Sequence, residues 1–347
     1  MNNIFISNDI SELEALIPSN KKIFVIIDNK LKHYYKLFSN YSIIGVETSE
    51  KNKTLSTIES IMNKLLDLKG DRNSFLLGVG GGITTDICGF AASIYKRGVS
   101  FGFVPTTLLA QCDASIGGKN GVNFNYYKNI IGTINQPSFV YINPVFLNTL
   151  PQSEIINGSA EIIKTFILFD PIYYKKCVLY FSQKRDKNYI NNNDSDLLDI
   201  VRKCALYKQS IIEKDPFEKG ERRLLNLGHT FAHAIEKCIT SSNTKCTTIS
   251  HGEAVSIGII YAARIAEKLS LAKEGLSGEL VSDLLSMGLP VNINEYNLTE
   301  QQLFNAIIND KKVDGDKIHF ILPLNIGNVI DKEIKLDELE EISRDLY

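Results

Sequence analysis

The sequence predicts an α/β domain with a parallel sheet over residues 1–150, followed by a mostly α-helical domain over residues 151–347. Three observations predict it. Short β-branched runs alternate with helix-period segments in the first part, and a triple glycine there joins a strand to a helix. From about Pro151 onward, apolar residues recur at 3.6-residue spacing in one segment after another.

Each element has a local reason. "KKIFVIID" (Lys21–Asp28) is an unbroken apolar run between charged ends, as a strand covered on both faces requires, and "YSIIGVET" (Tyr41–Thr48) is a second. "TLSTIESIMNKLLDLKG" places its apolar residues at helical spacing and stops at Gly70. "SFLLGVG" (Ser74–Gly80) returns to strand, and "ITTDICGFAASIYKRG" follows as helix. In the second part "QSEIINGSAEIIKTFILF", "DLLDIVRKCALYKQSIIEKD", "RRLLNLGHTFAHAIEKC" and "GEAVSIGIIYAARIAEKLSL" all fit the helical period, and strand candidates are scarce until "KIHFILPL". The polar stretches Ser182–Asp196 and Thr240–Ser250 read as solvated loops, and no internal repeat is visible.

Composition narrows the function classes. Of 347 residues 44% are hydrophobic and 22% charged, the mix of a globular protein. A net charge of -2 supplies no global field toward nucleic acid or a membrane surface, so neither is an expected partner. The N-terminal residues lack the basic start and apolar core of a secretion signal, and no apolar run approaches the ~18–20 residues that span a bilayer. Six scattered cysteines without a C-x-x-C pair suggest reduced thiols, and the expected location is the cytoplasm.

"LLGVGGGITTDICGF" sets Gly80, Gly81 and Gly82 between strand and helix, where a ligand can approach the backbone and helix-start N–H groups favour phosphate. A merely tight turn fits those glycines equally well. Asp28, closing an earlier strand, suits a ribose, and it suits a helix cap as well. "VPTTLLAQCDASIGGKNGVN" then supplies Thr106, Thr107, Asp113 and Lys119, followed by Lys128 and Asn129 in "YYKNIIG". Hydroxyls, glycines and lysines after successive strands suit a phosphorylated ligand at the carboxyl edge of a sheet.

His229, His233 and His251 are three of only five histidines. His229 and His233 are four apart, on one helix face. A catalytic zinc takes three nitrogen or oxygen ligands and keeps one position open. Glu161, in the otherwise apolar "GSAEIIKTF", is the candidate third ligand with His229 and His251, leaving His233 for substrate. Lys164 lies three residues on, on the same face, and such a pair is costly to bury without partners. Spacing alone also admits a surface pair and unrelated histidines. Lys208, Arg222 and "DKKV" (Asp310–Val313) add basic groups beside these motifs, which points to a small, strongly anionic substrate.

Together "GGGITTDICGFAASIYKRG", "PTTLLAQCDASIGGKNGVN", "KNIIG", "LPQSEIINGSAEIIK", "LLNLGHTFAHAIE" and "HGEAV" resemble 3-dehydroquinate synthase, the second enzyme of the shikimate pathway of aromatic amino acid biosynthesis. The resemblance runs from about Asp28 to "DKKV", in the family's order and spacing. It implies an NAD-binding α/β domain, a helical metal-binding domain and an active site in the cleft between them. It also implies a zinc or cobalt ion held by Glu161, His229 and His251. NAD contacts would fall on Asp28, Glu50, Lys53, Gly81, Gly82, Ile83, Asp86, Thr106, Thr107, Lys119 and Lys128. Lys164, Asp113, Glu218 and His233 would be catalytic. Arg97, Lys119, Lys128, Asn129, Lys208, Arg222, Asn226 and Lys311 or Lys312 would contact substrate, with Arg97 reaching the neighbouring subunit's site in a homodimer. Asn120 and Ile134 stand where threonine and an aromatic residue are common in the family.

The implied reaction converts 3-deoxy-D-arabino-heptulosonate 7-phosphate to 3-dehydroquinate and phosphate. Transient oxidation at C5 is followed by phosphate elimination, re-reduction, ring opening and aldol closure, so NAD is regenerated within one turnover. Sister sugar phosphate cyclases of the 2-deoxy-scyllo-inosose or valiolone type are the nearest alternatives. Lys208, Arg222, Asn226 and His233 together favour a carboxylate-bearing substrate instead. A metal-dependent polyol or glycerol phosphate dehydrogenase, and a binding protein without catalysis, are more distant.

Overall fold

The structure, a computed structural model, describes residues 3–125, 127–184, 194–241, 248–308, 313–314 and 316–343. Lys311, Lys312 and Cys246 lie outside the described residues. The chain separates into two compact units, Met1–Pro151 with Tyr189–Gln209, and Gln152–Asn188 with Ser210–Tyr347. Residues 194–209 cluster with the first unit.

The first unit is built on β1 (Ile4–Ile6), α1 (Glu12–Leu16), β2 (Lys22–Asp28), β3 (Ser42–Val46), α2 (Leu55–Asp67), β4 (Ser74–Gly80), α3 (Gly82–Ile94) and β5 (Ser100–Pro105). A hairpin of β6 (Lys119–Phe124) and β7 (Tyr127–Ile134) follows, then β8 (Val140–Ile142). Six strands form one sheet in the order β1-β8-β5-β4-β2-β3, every neighbouring pair parallel. Phe24, Val25, Ile26 and Ile27 of β2 and Phe75, Leu76, Leu77 and Val79 of β4 are wholly buried. Each such side chain contributes roughly 1.5–3 kcal/mol by leaving water, which explains why the apolar runs form the sheet centre.

The strand order locates a ligand edge. From β2 the chain moves to β3 at one edge, and from β4 it moves to β5 on the other side. The carboxyl ends of neighbouring β2 and β4 are therefore a topological switch point, where open α/β sheets bind ligands. Asp28 ends β2 and Gly80 ends β4. α3 stops at Ile94 rather than reaching Gly98, because Lys96 (φ 52°), Arg97 (φ 72°) and Gly98 (φ 114°) turn left-handed.

The second unit contains α4 (Gln152–Phe169), α5 (Pro171–Lys184), the latter part of α6 (Ser195–Lys214), α7 (His229–Ser241), α8 (His251–Lys268), α9 (Leu276–Ser286) and α10 (Glu300–Ile308). β9 (Val313–Asp314), β10 (Lys317–Asn325) and β11 (Asn328–Lys335) form an antiparallel sheet, and α11 (Leu336–Ser343) follows. Pattern reading found β10 in "KIHFILPL" but not its neighbours. In β11 only Ile334 is buried, and Asp331, Lys332, Glu333 and Lys335 are charged, which dilutes its apolar signal.

The helix expected over "RRLLNLGHTFAHAIEKC" is two elements, a 3-10 turn Glu221–Asn226 and then α7. Gly228 breaks it with φ 78°. A Cβ on Gly228 would stand 2.9 Å from the Val255 carbonyl, and one on Gly258 would stand 2.0 Å from the Gly228 carbonyl. The break thus seats the start of α7 directly on the α8 backbone.

Candidate active site and metal centre

Three helices each deliver one candidate ligand. Glu161 lies in the middle of α4, a helix buried continuously from Asn157 to Leu168. His229 and His251 are the first residues of α7 and α8. Ser250 and Glu253 close a capping box around the start of α8. The side chain of Asn157, one turn before Glu161, accepts the Gly252 N–H at 2.6 Å. A Cβ on Gly252 would lie 2.0 Å from the Asn157 carbonyl. Two close backbone approaches, α4 to α8 and α7 to α8, therefore set the spacing of the three side chains.

Their ligand atoms all lie within 4.8 Å of one another. His229 Nε2 is 3.6 Å and His251 Nε2 3.4 Å from Glu161 Oε1. Two ligands ~2.0–2.1 Å from one tetrahedral centre stand about 3.3 Å apart, so these separations suit a shared cation. Glu161 is fully buried, and among the described residues neither of its oxygens has a hydrogen-bond partner. Its compensation is ionic: Lys164, 2% exposed, pairs with Oε2, and the two imidazoles face Oε1. A buried carboxylate with open lone pairs, facing two imidazole nitrogens, is a donor set that fits a divalent ion of the zinc type.

The electrostatics agree. Burial opposes the charge on Glu161, but the Lys164 ammonium and the histidines outweigh it and hold the carboxyl well below its ordinary range. Burial, aided by Lys164, pushes His229 well below the usual imidazole value, which leaves a neutral ring with a lone pair. For His251 burial also works against charge, yet the facing Glu161 carboxylate and the hydrogen bond to Glu236 prevail and raise it to about 10. Without a cation, His251 therefore carries the proton that a metal must displace.

His233 sits one turn along α7 from His229, exposed, with ring centroids 5.6 Å apart. Arg222 is buried and donates to the Pro216 carbonyl at 2.7 Å. Asn226 donates to Glu218 Oε1 at 2.7 Å, and Glu218 holds φ 58°. Asp215 organises this loop by accepting the Lys219, Gly220 and Arg222 N–H groups, and the Lys219 contact leads in holding its carboxyl below the usual range.

In the first unit the two glycine motifs meet. Thr106 N–H donates to the Gly80 carbonyl at 2.9 Å, and a Cβ on Gly81 would come 2.9 Å from Thr107 Cγ2. Gly81 caps α3 without a side chain, so the first-turn amides at Gly82 and Ile83 are left to a ligand or water. Of the two readings open for Asp28, the structure shows the cap: one oxygen accepts Lys30 N–H at 2.9 Å and the other pairs with Thr48. Lys53, buried, bridges Asp86 and the Asn129 side chain. Burial raises Asp86, with Lys53 opposing. Lys208 donates to both Oδ1 and the carbonyl of Asp113 at 2.6 Å, in a π-helical turn, Ala110–Ala114. Arg97, Lys119 and Lys128 are exposed.

Sequence reasoning missed Asn123, whose side chain links Glu50 Oε1 (2.8 Å) to the Asn129 N–H (2.8 Å). It also missed Asn157 and Glu236. Glu236 is seven residues after His229, hence on the same face of α7, and that spacing was the available signal.

Comparison with known proteins agrees with this arrangement. Models of the 3-dehydroquinate synthase N-terminal and C-terminal domains match residues 43–157 and 158–313. The 3-dehydroquinate synthase of Pyrococcus furiosus is 42% identical over 350 residues, covering 97% of this chain and 98% of that one. The solved 2-epi-5-epi-valiolone synthase of Streptomyces hygroscopicus subsp. jinggangensis, with NAD+ and Zn2+ bound, has TM-score 0.86 at 24% identity and covers 100% of this chain and 96% of that one. A 2-deoxy-scyllo-inosose synthase complexed with carbaglucose-6-phosphate, NAD+ and Co2+ has TM-score 0.83 at 24% identity, covering 99% and 96%. These two structures share the fold, while the sequence match over nearly the full length of both chains sets the kinship. The chain belongs to the 3-dehydroquinate synthase family.

Proposed function

We propose that this enzyme converts 3-deoxy-D-arabino-heptulosonate 7-phosphate to 3-dehydroquinate and phosphate, using NAD and a zinc or cobalt ion held by Glu161, His229 and His251. The observation that carries the reading is the fully buried Glu161 carboxylate, without hydrogen bonds among the described residues, facing two histidine Nε2 atoms. When bound, NAD supplies a hydride acceptor and the ion a Lewis acid at the same carbinol.

The residues divide the remaining work. Lys164, held in place by its pair with Glu161, presents a cation at the substrate hydroxyls near the ion. His233 and Asn226 offer hydrogen bonds, and the buried Arg222 offers a fixed guanidinium for an anionic group. In the first unit Lys208 with Asp113, Asn129, Lys119 and Lys128 are the proposed substrate contacts. The glycine turn, Thr106, Thr107, Lys53, Asp86, Glu50 and Asp28 are the proposed cofactor contacts. Oxidation of the hydroxyl to a ketone acidifies the neighbouring C–H, and phosphate departs by elimination. Once the carbonyl is a carbinol again, the ring opens and an intramolecular aldol step closes the carbocycle. Arg97 is the residue we assign to the partner's phosphate in a homodimer. A cytoplasmic location accords with Cys88, Cys112, Cys177, Cys204 and Cys238 forming no disulfide with one another.

Phosphate release from the heptulosonate substrate tests the proposal. Release should require the ion, stop on chelation and leave no net NADH. Sustained growth of 340 nm absorbance would identify a dehydrogenase instead. Lys164→Ala and His229→Ala should each abolish turnover in a folded protein, and near-normal rates in either variant would refute the assignment.

A further inference from the structure

The two histidines of the centre are oriented by different acceptors. Nδ1 of His229 faces the Leu227 carbonyl at 3.2 Å, a neutral group of its own loop. Nδ1 of His251 faces Oε1 of Glu236 at 3.3 Å, a carboxylate from another helix. Both rings turn Nε2 toward Glu161 Oε1. A histidine that coordinates through Nε2 must carry its proton on Nδ1, and an acceptor placed there fixes both tautomer and ring plane. Glu236 is 12% exposed at its side chain and two turns beyond His229 on α7. One helix thus supplies a ligand at its first residue and the orienting group for a ligand on α8.

Charge gives Glu236 a second task. Lys164 cancels the charge of Glu161, so the pair by itself offers a dication no net attraction. Glu236 adds a negative charge one imidazole away from the ligand atom.

We propose that Glu236 is a positioning residue of the metal centre: it accepts the Nδ1–H of His251, aims Nε2 at the ion and supplies the negative charge that Lys164 removes. The proposal rests on Glu161, His229 and His251 being the metal ligands. Binding of Zn2+ to the metal-free enzyme, measured by competition with a chromogenic chelator, tests it without reference to turnover. Affinity should fall about 10-fold in Glu236→Gln, which keeps the acceptor but not the charge, and about 100-fold in Glu236→Ala. Visible absorption bands of the Co2+-loaded protein should change in the alanine variant and return toward wild type in the glutamine variant. Thermal midpoints of the metal-free variants show whether each is folded, and the glutamine variant keeps the test open if the alanine variant is not. Wild-type affinity and unchanged Co2+ bands in a folded Glu236→Ala protein would overturn the proposal. Glu161→Gln and His229→Ala run alongside. If they lose Zn2+ while Glu236→Ala keeps it, only the role of Glu236 is wrong; if all three keep it, the ligand assignment falls as well.

Discussion

Glu161→Gln keeps the shape of the α4 side chain and removes one charge from the interior. Glu161 is fully buried and its partner Lys164 is 2% exposed, so the substitution removes the carboxylate of an ion pair that lies where water cannot solvate it. Breaking a buried ion pair from one side costs about 3–5 kcal/mol. In a unit of this size each kcal/mol shifts the melting midpoint by about 2–4 °C, so the metal-free variant should melt roughly 6–20 °C below wild type. Scanning calorimetry of the metal-free proteins measures it. The companion Glu161→Gln/Lys164→Met removes both charges and should recover most of that loss, because an apolar replacement of a buried pair is often neutral or better. Neither variant should bind Zn2+ with wild-type affinity, since one ligand of three is gone. A single variant that melts within a degree or two of wild type would sink the reasoning. So would a double variant no more stable than the single one.

Three other perturbations probe the framework. Gly252→Ala puts a methyl 2.0 Å from the Asn157 carbonyl, so α4 and α8 must part beside His251; about 1–3 kcal/mol of stability and part of the Zn2+ affinity should go, whereas Gly278→Ala, with open space around it, should change neither in calorimetry and chelator competition. Burial, then the 2.7 Å hydrogen bond to Asp283, raises the Tyr174 phenol. The folded chain thus keeps a proton that the unfolded chain loses near pH 10: the stability this contributes is complete below about pH 10 and declines as pH rises beyond it. Urea melts from about pH 8 to 11 should show a shallower alkaline loss in Tyr174→Phe, and an identical slope would contradict the assignment. Asn123→Ala removes two 2.8 Å hydrogen bonds, one to the Glu50 side chain and one from the Asn129 N–H; at about 1 kcal/mol net for the bond to Glu50, a proposed cofactor contact, NAD affinity should drop on the order of 5-fold in a fluorescence titration, and an unchanged affinity would remove Asn123 from the site.

The sequence by itself determined the parallel sheet, the helical second half and the chemical cast of the site. A strand covered on both faces has to be an unbroken apolar run such as "KKIFVIID", and a buried helix has to repeat its apolar residues every 3.6 positions, so both are written locally. Glu161 was conspicuous for the same reason, as a carboxylate in an apolar helix. What the tertiary structure decided is what depends on distance between segments remote in the chain. Gly228 looked like one position in a helical pattern, yet it ends that pattern because the α8 backbone passes where its Cβ would be. Asp28 spends its two oxygens on Lys30 and Thr48, the latter on a different strand-end loop. Glu236 reads as an ordinary surface charge until His251, fifteen residues on, folds back to meet it. Periodicity records which face of an element is buried; it does not record which atom waits there.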